Sequence, residues 1–186
     1  DYLCANSEKP LVVRFSGGHQ CGHNVVVDGV SHIFSNFGSG SLRGAPTYWS
    51  KFCTVEPNGL LNELAVLAEK GINPKIYIDG RCPVVTPFDI DSNKLNKKTI
   101  KDGSCGLGFG ATINREEKFY SLTFSDLFYP KILEEKLKNI GKFYDDPQTM
   151  EGFLRICKVV ISLPGVEFAY KVPYTGDVIF EGNQGL

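Results

Sequence analysis

Between Leu11 and Ile78 the chain alternates strand, hairpin, helix and strand, and this alternation constrains the fold more than any single motif. Leu11 to Phe15 is a short apolar, β-branched run of the kind that forms a buried strand. It breaks at Ser16-Gly17-Gly18. Val25 to Asp28 reads as a second strand, Asp28-Gly29 carries a two-residue hairpin signal, and Ser31 to Phe34 is the returning strand. Glu56-Pro57-Asn58-Gly59 then introduces a helix to about Lys70. Its Leu60, Leu61, Leu64, Leu67 and Ala68 fall on one face. Gly71 stops it where a left-handed cap residue is wanted. Lys75 to Ile78 is the next strand. The order predicts an α/β fold, with a mainly parallel central sheet flanked by helices and a β-hairpin after the first strand.

The remainder is read more coarsely. Ser35 to Tyr48, interrupted by Gly and Pro, is expected to be a loop, and Pro83 to Lys98 a polar surface excursion. Pro130 to Tyr144 and Thr149 to Ile161 have helical periodicity, and Asp177 to Phe180 reads as a closing strand. With no repeats, low-complexity stretch or linker, residues 1–186 are expected to form a single α/β domain. The net charge of −1 offers no footprint for nucleic acid or an anionic membrane. No apolar run approaches the roughly 20 residues of a membrane span. Six cysteines, at 4, 21, 53, 82, 105 and 157, form no CxxC pair, which favours reduced thiols and a cytoplasmic protein over a disulfide framework or structural zinc. Met150 is the sole methionine and the chain stops in a Gly-rich turn, so the sequence reads as a piece of a longer protein.

Three segments could carry chemistry. The first is Gly17-Gly18-His19-Gln20-Cys21-Gly22-His23-Asn24. Consecutive glycines after a strand let the backbone approach a ligand, exposed amides in such a turn suit anionic oxygens, and the two imidazoles titrate near neutrality. An ordinary polar hairpin loop fits the same residues. A metal pair at i and i+4 would need a helix, which Gly17, Gly18 and Gly22 disfavour. The second is Gly103-Ser104-Cys105-Gly106-Leu107-Gly108-Phe109-Gly110, a glycine turn with the look of a phosphate loop that does not fit GxxxxGK[ST]. The third is Phe180-Glu181-Gly182-Asn183-Gln184-Gly185, a strand end followed by amide side chains able to read a purine edge.

Val12 to Asn24 resembles the VVR-(Y/F)-x-GGHNAGHT segment of the adenylosuccinate synthetase family. Further landmarks follow in family order. Asn58 to Gly71 resembles the helix ending in "RGI", Cys82-Pro83 "ACP", Gly103 to Gly110 "GTTGRGIG", Ser125-Asp126-Leu127 "VGDL", and Phe180 to Gly185 "FEGAQG". The resemblance implies a P-loop-NTPase-like sheet and a C–N ligase. In that reaction GTP phosphorylates the 6-oxygen of IMP and L-aspartate displaces the phosphate. It implies Mg²⁺, GTP (or ATP) as co-substrate, and a homodimer in the full-length form.

Carried over by position, His23 matches the family's general acid, Gly22 the glycine whose carbonyl reaches Mg²⁺, Cys105 a Thr that contacts the IMP phosphate, and Gln184 a Gln that contacts IMP. Gln20, Cys21, Asn24 and Ser104 complete the expected nucleotide-binding set. Three positions depart from the pattern: Gln20 stands for an Asn that contacts IMP, Cys105 for Thr, and Leu107 for Arg. The Arg that the family lends across its dimer falls at Phe119-Tyr120 here, with Arg115 and Lys118 nearby. These departures keep open a relative that uses dGMP and makes 2-aminoadenylosuccinate, and a nucleotide-binding module without catalysis. The family's upstream "GDEGKGK" segment is absent from this chain. Its aspartate-binding and guanine-recognising segments would fall past Leu186. The 186-residue chain alone is therefore expected to be inactive.

Overall fold

The computed structural model describes residues 1–96, 101, 103–148, 150–172 and 176–183. Among these, seven strands form: β1 (Leu11–Arg14), β2 (His23–Val27), β3 (Val30–Phe34), β4 (Thr47–Trp49), β5 (Ile76–Asp79), β6 (Val166–Ala169) and β7 (Val178–Glu181). Five of them pair in parallel in the order β6-β5-β4-β1-β7. Such strands, covered on both faces, read as continuous apolar runs, and all four residues of β1 are buried. The antiparallel β2–β3 ribbon stands apart, as the Asp28-Gly29 signal predicts. Both turn residues have positive φ, 49° and 82°, the geometry whose twist matches a two-residue hairpin. β2 begins at His23, two residues earlier than its apolar pattern suggests.

Named helices among the described residues are α1 (Tyr2–Ala5), α2 (Pro57–Glu69), α3 (Pro87–Leu95), α4 (Phe109–Glu117), α5 (Pro130–Phe143) and α6 (Glu151–Ser162). α2 starts as expected, with Pro57 in its first turn and the Glu56 carboxylate accepting from the Asn58 and Gly59 amides. Gly71, at φ 73°, follows its end. Leu60 and Leu67 of α2, Leu133, Leu137 and Ile140 of α5, and Phe153, Cys157 and Val160 of α6 share one core with Trp49, Ile76 and Ile78 of the sheet. Each such apolar side chain contributes about 1.5–3 kcal/mol by burial. No helix among the described residues is long and apolar enough to cross a membrane.

Two readings of the sequence are corrected here. The Ser35–Tyr48 segment is not loop to its end: Thr47 and Tyr48 belong to β4, in the middle of the sheet. A three-residue strand behind Pro46 is too short to show periodicity. Pro83 to Lys98 is not a polar excursion. Val84, Val85 and Phe88 are buried, and Pro87 opens α3 at its first turn, where a missing amide costs nothing. Thr86 and Asp89 close a reciprocal capping box there. Residues 97–98 of that range and Thr149 lie outside the described residues. β6 and α4 were not anticipated. β6 is a half-exposed edge strand, and α4 follows directly on the glycine turn.

Candidate active site at the sheet switch point

From β1 the chain moves through β4 and β5 to β6 on one side, then returns to place β7 on β1's other side. In an open α/β sheet the crevice beyond the strand ends at such a reversal is where ligands bind. Here β1 ends in Arg14 and β7 ends in Glu181, directly paired in register.

Arg14 is fully buried. Its Nη1 lies 3.3 Å from Glu181 Oε1 and also donates to the Phe37 carbonyl at 3.3 Å. Nη2 donates to Asn183 Oδ1 at 3.0 Å, and the guanidinium lies 5.2 Å from the Trp49 ring centre. A buried cation persists only when compensated, and Glu181 supplies the charge. The other Glu181 oxygen accepts from the Ser39 amide at 2.8 Å.

His23 joins the same carboxylate. Its Nδ1 sits 2.7 Å from Glu181 Oε1 and 3.4 Å from the Ser39 hydroxyl, and its Nε2 lies 3.3 Å from the Asn183 carbonyl. Glu181 Oε1 lies close to the ring without an aligned hydrogen bond to any group among the described residues. Acceptor oxygens therefore lie within reach of both ring nitrogens. The Gly17 backbone, at φ 71°, passes so close to the Asn183 side chain that any Cβ would collide with it.

His19 is placed differently. Asn36 Nδ2 donates to His19 Nδ1 at 3.1 Å, and the ring lies against Gly59 in the first turn of α2. Gln20 and Cys21 are half-buried, and Gly22 and Asn24 are exposed on the same loop. Burial, partly opposed by Arg14 and reinforced by Cys105, holds the Cys21 thiol above its ordinary range.

The second glycine segment leads into α4 with Gly106 and Gly108 at positive φ. Ser104 is exposed, and its hydroxyl accepts from Asn93 Nδ2 at 3.1 Å. Cys105 is exposed as well. Gln184 lies outside the described residues, so the third segment enters through Glu181 and Asn183. Arg115 is fully buried between Asp89, at 2.9 Å, and the Val84 carbonyl, at 2.8 Å, so its charge serves α3 and not a partner subunit. Among the described residues no group of three His, Cys, Asp or Glu is arranged to hold a metal.

The sequence pointed to His23 and to the segment that carries Glu181 and Asn183, but not to the meeting of these residues with one another or with Arg14 and Ser39. A charged residue closing an otherwise apolar strand, as Arg14 closes β1 and Glu181 closes β7, was the available signal. Another polar cluster ends β5. Burial alone would raise Asp79, but Arg81 and Tyr48 bonds hold its carboxyl below the usual range. Two clefts of about 730 and 620 Å³ open elsewhere, along α5 and α6 and beside α2. At the switch point a buried cation, a carboxylate and a partly exposed imidazole meet at paired strand ends.

Residues 1–160 match the adenylosuccinate synthetase family model. An adenylosuccinate synthetase of Shewanella amazonensis is 32% identical over 202 residues, covering 94% of this chain and 46% of that protein. One of Borrelia duttonii is 30% identical over 204 residues, covering 100% and 47%. The chain thus spans about half the length of the curated relatives it matches. Among solved structures, a fully ligated adenylosuccinate synthetase from Plasmodium falciparum superposes with a TM-score of 0.72 at 15% identity, over 86% of this chain and 39% of that one. A cyanophage S-2L succinoaminodeoxyadenylate synthetase bound to dGMP and dATP superposes with a TM-score of 0.53 at 16% identity, over 97% and 45%. At these identities the two structures show a shared fold.

Proposed function

Because the chain belongs to the adenylosuccinate synthetase family, we propose that it supplies the purine-nucleotide face of a C–N ligase that joins L-aspartate to the 6-position of IMP at the expense of GTP or ATP. The observation that carries this reading is His23 beside Glu181 at the switch point between β1 and β7. A terminal phosphoryl group leaving a triphosphate leaves negative charge on the remaining diphosphate. An imidazole whose two nitrogens both face acceptors is built to meet that charge with a proton. Glu181 and the Ser39 hydroxyl flank the ring at Nδ1, and Arg14 keeps Glu181 in place. The phosphoryl group passes to the 6-oxygen of the purine; aspartate's amine then attacks C6, the C–O bond breaks as phosphate departs, and the amine loses a proton as the C–N bond forms.

Mg²⁺ neutralises phosphate oxygens in such reactions. It is commonly held by one or two protein oxygens and the nucleotide itself rather than by a protein cage. The exposed Gly22 is the residue that would offer its carbonyl. Gln20, Cys21, Asn24, Ser104, Cys105 and Gln184 remain the proposed nucleotide contacts, and a homodimeric, cytoplasmic full-length protein folding residues 1–186 as one unit remains the proposed setting.

The departures at Gln20, Cys105 and Leu107 favour a second reading, in which the acceptor is dGMP. Both readings are tested together. The 186-residue chain is titrated calorimetrically with IMP and with dGMP, then incubated with either nucleotide, aspartate, Mg²⁺ and GTP or ATP, and the products are weighed by mass spectrometry. The expected result is binding of one purine monophosphate without product. Turnover by the chain alone would overturn the claim that it forms only part of a site. Failure to bind either monophosphate would overturn the ligase reading.

A further inference from the structure

A second polar network lies beside the proposed site. Glu63 is buried on the inner side of α2, and its carboxylate collects donors: the Ser35 amide at 3.0 Å, the Asn36 amide at 2.6 Å, Asn36 Nδ2 at 2.7 Å, and His32 Nε2 at 3.4 Å. Beyond His32, the Lys70 ammonium lies 3.1 Å from Nδ1. Four donors around two oxygens require an ionised, acceptor-only carboxylate.

That charge dictates the orientation of Asn36. Turned the other way, its amide oxygen would face a carboxylate, so the NH₂ must point at Glu63. The second hydrogen of that NH₂ is then the one that meets His19 Nδ1. A ring nitrogen facing an N–H donor must be the lone-pair nitrogen, so the proton of neutral His19 resides on Nε2. Among the described residues the buried Asn36 Oδ1 has no hydrogen-bond partner, so the site sacrifices one acceptor to hold this orientation. The α2 backbone completes the clamp: a Cβ at Gly59 would come within 2.5 Å of His19 Cε1 and 2.7 Å of both ring nitrogens. Nε2 itself meets no partner among the described residues, on a ring only half-buried.

We infer that Asn36 and Glu63 are positioning residues, which lock His19 as the neutral Nε2–H tautomer and so make it a fixed hydrogen-bond donor to an acceptor oxygen of the nucleotide. The identity of the acceptor rests on the function proposed above; the tautomer does not.

The decisive measurement is ¹⁵N–¹H correlation NMR of the imidazoles in the histidine-labelled chain without nucleotide, at about pH 8.5, some two units above the ordinary imidazole pKa. His19, assigned by its loss in His19→Asn, is expected to show a pyridine-like Nδ1 and a protonated Nε2. Protonated Nδ1 as the major form in the wild-type chain would overturn the inference, whether or not the exchanged pair described next folds. The exchanged pair Asn36→Asp with Glu63→Gln keeps one carboxylate and one amide in contact but presents an acceptor to His19. It should move the proton to Nδ1. A folded exchanged pair with an unchanged His19 tautomer would also overturn the inference. Adding IMP or dGMP should shift the His19 Nε2 signal in the wild-type chain. A bound nucleotide without that shift removes the donor role, whereas no binding at all counts against the ligase reading and leaves the tautomer result standing.

Discussion

His19 and His23 stand four residues apart on one loop, yet the fold gives them opposite surroundings. His23 starts β2 and faces acceptors at both ring nitrogens, the Glu181 carboxylate and the Asn183 carbonyl. His19 faces an amide donor at Nδ1 and lies against a helix backbone. The first ring is held between acceptors; the second meets a donor at one nitrogen, which leaves its other nitrogen to carry the hydrogen of the neutral form. Two histidines in a glycine loop therefore need not be two copies of one function. The carboxylates that set them apart, Glu181 and Glu63, come from a strand and a helix remote from the loop in sequence.

The comparison can be broken most directly at Glu181. Glu181→Ala leaves the fully buried Arg14 uncompensated, so urea unfolding should show a loss of about 3–5 kcal/mol. A loss below about 1 kcal/mol would mean that Arg14 does not depend on Glu181, and the account of the His23 cluster would fail with it.

Next in size is the difference between the two imidazoles themselves. In a turnover-competent ligase carrying this chain, His23→Asn should lower kcat by about 10²-fold or more, close to 2.7 kcal/mol, with nucleotide affinity little changed. His19→Asn should act on stability or affinity instead, by about 1–2 kcal/mol. Steady-state kinetics separates the two. If His19→Asn abolishes kcat while His23→Asn spares it, the roles are reversed. If both stay fully active, the loop is a structural hairpin.

A smaller effect is expected at Gly59. Alanine normally stabilises a helix over glycine by about 1 kcal/mol. Here the added methyl meets the His19 ring, so Gly59→Ala should show no gain in melting temperature and should perturb the His19 imidazole signals while leaving those of His23 in place. A full propensity gain with unchanged His19 signals would show that the ring is not clamped.

The smallest effect is kinetic and needs no substitution. Iodoacetamide should modify exposed Cys105 first and half-buried Cys21 more slowly. Burial pushes the thiols of Cys53 and Cys157 up to about 11 and about 12, and raises that of Cys82 well above its ordinary value. These three should therefore react only on unfolding. Protection of Cys21 and Cys105 by a bound purine monophosphate would sharpen the placement of both loops at one site. Equal reactivity of buried and loop thiols, followed by peptide mass mapping, would contradict the packing.

Much of this was legible in the sequence because it is local. The apolar run of β1, the Asp28-Gly29 turn, the cap and glycine stop around α2, and the glycine loop bearing His23 each lie within a few residues of their own cause. Steric preference, capping and periodicity act at that range. The elements that were missed depended on what surrounds them. β4 is three residues long and is held by β1 and β5 on its two sides. α3 carries a buried aspartate whose charge is met by Arg115 of α4, 26 residues away. The chemistry of the candidate site belongs to the same class. Arg14 and Asn183 meet across 169 residues of chain, and no pattern at helix or strand spacing encodes that meeting. The sequence by itself determined that an α/β sheet would carry a histidine-bearing glycine loop at a strand end. Only the tertiary structure decided which histidine would face a carboxylate and which an amide, because a side chain's protonation is set by the groups that close around it in space, not by its neighbours along the chain.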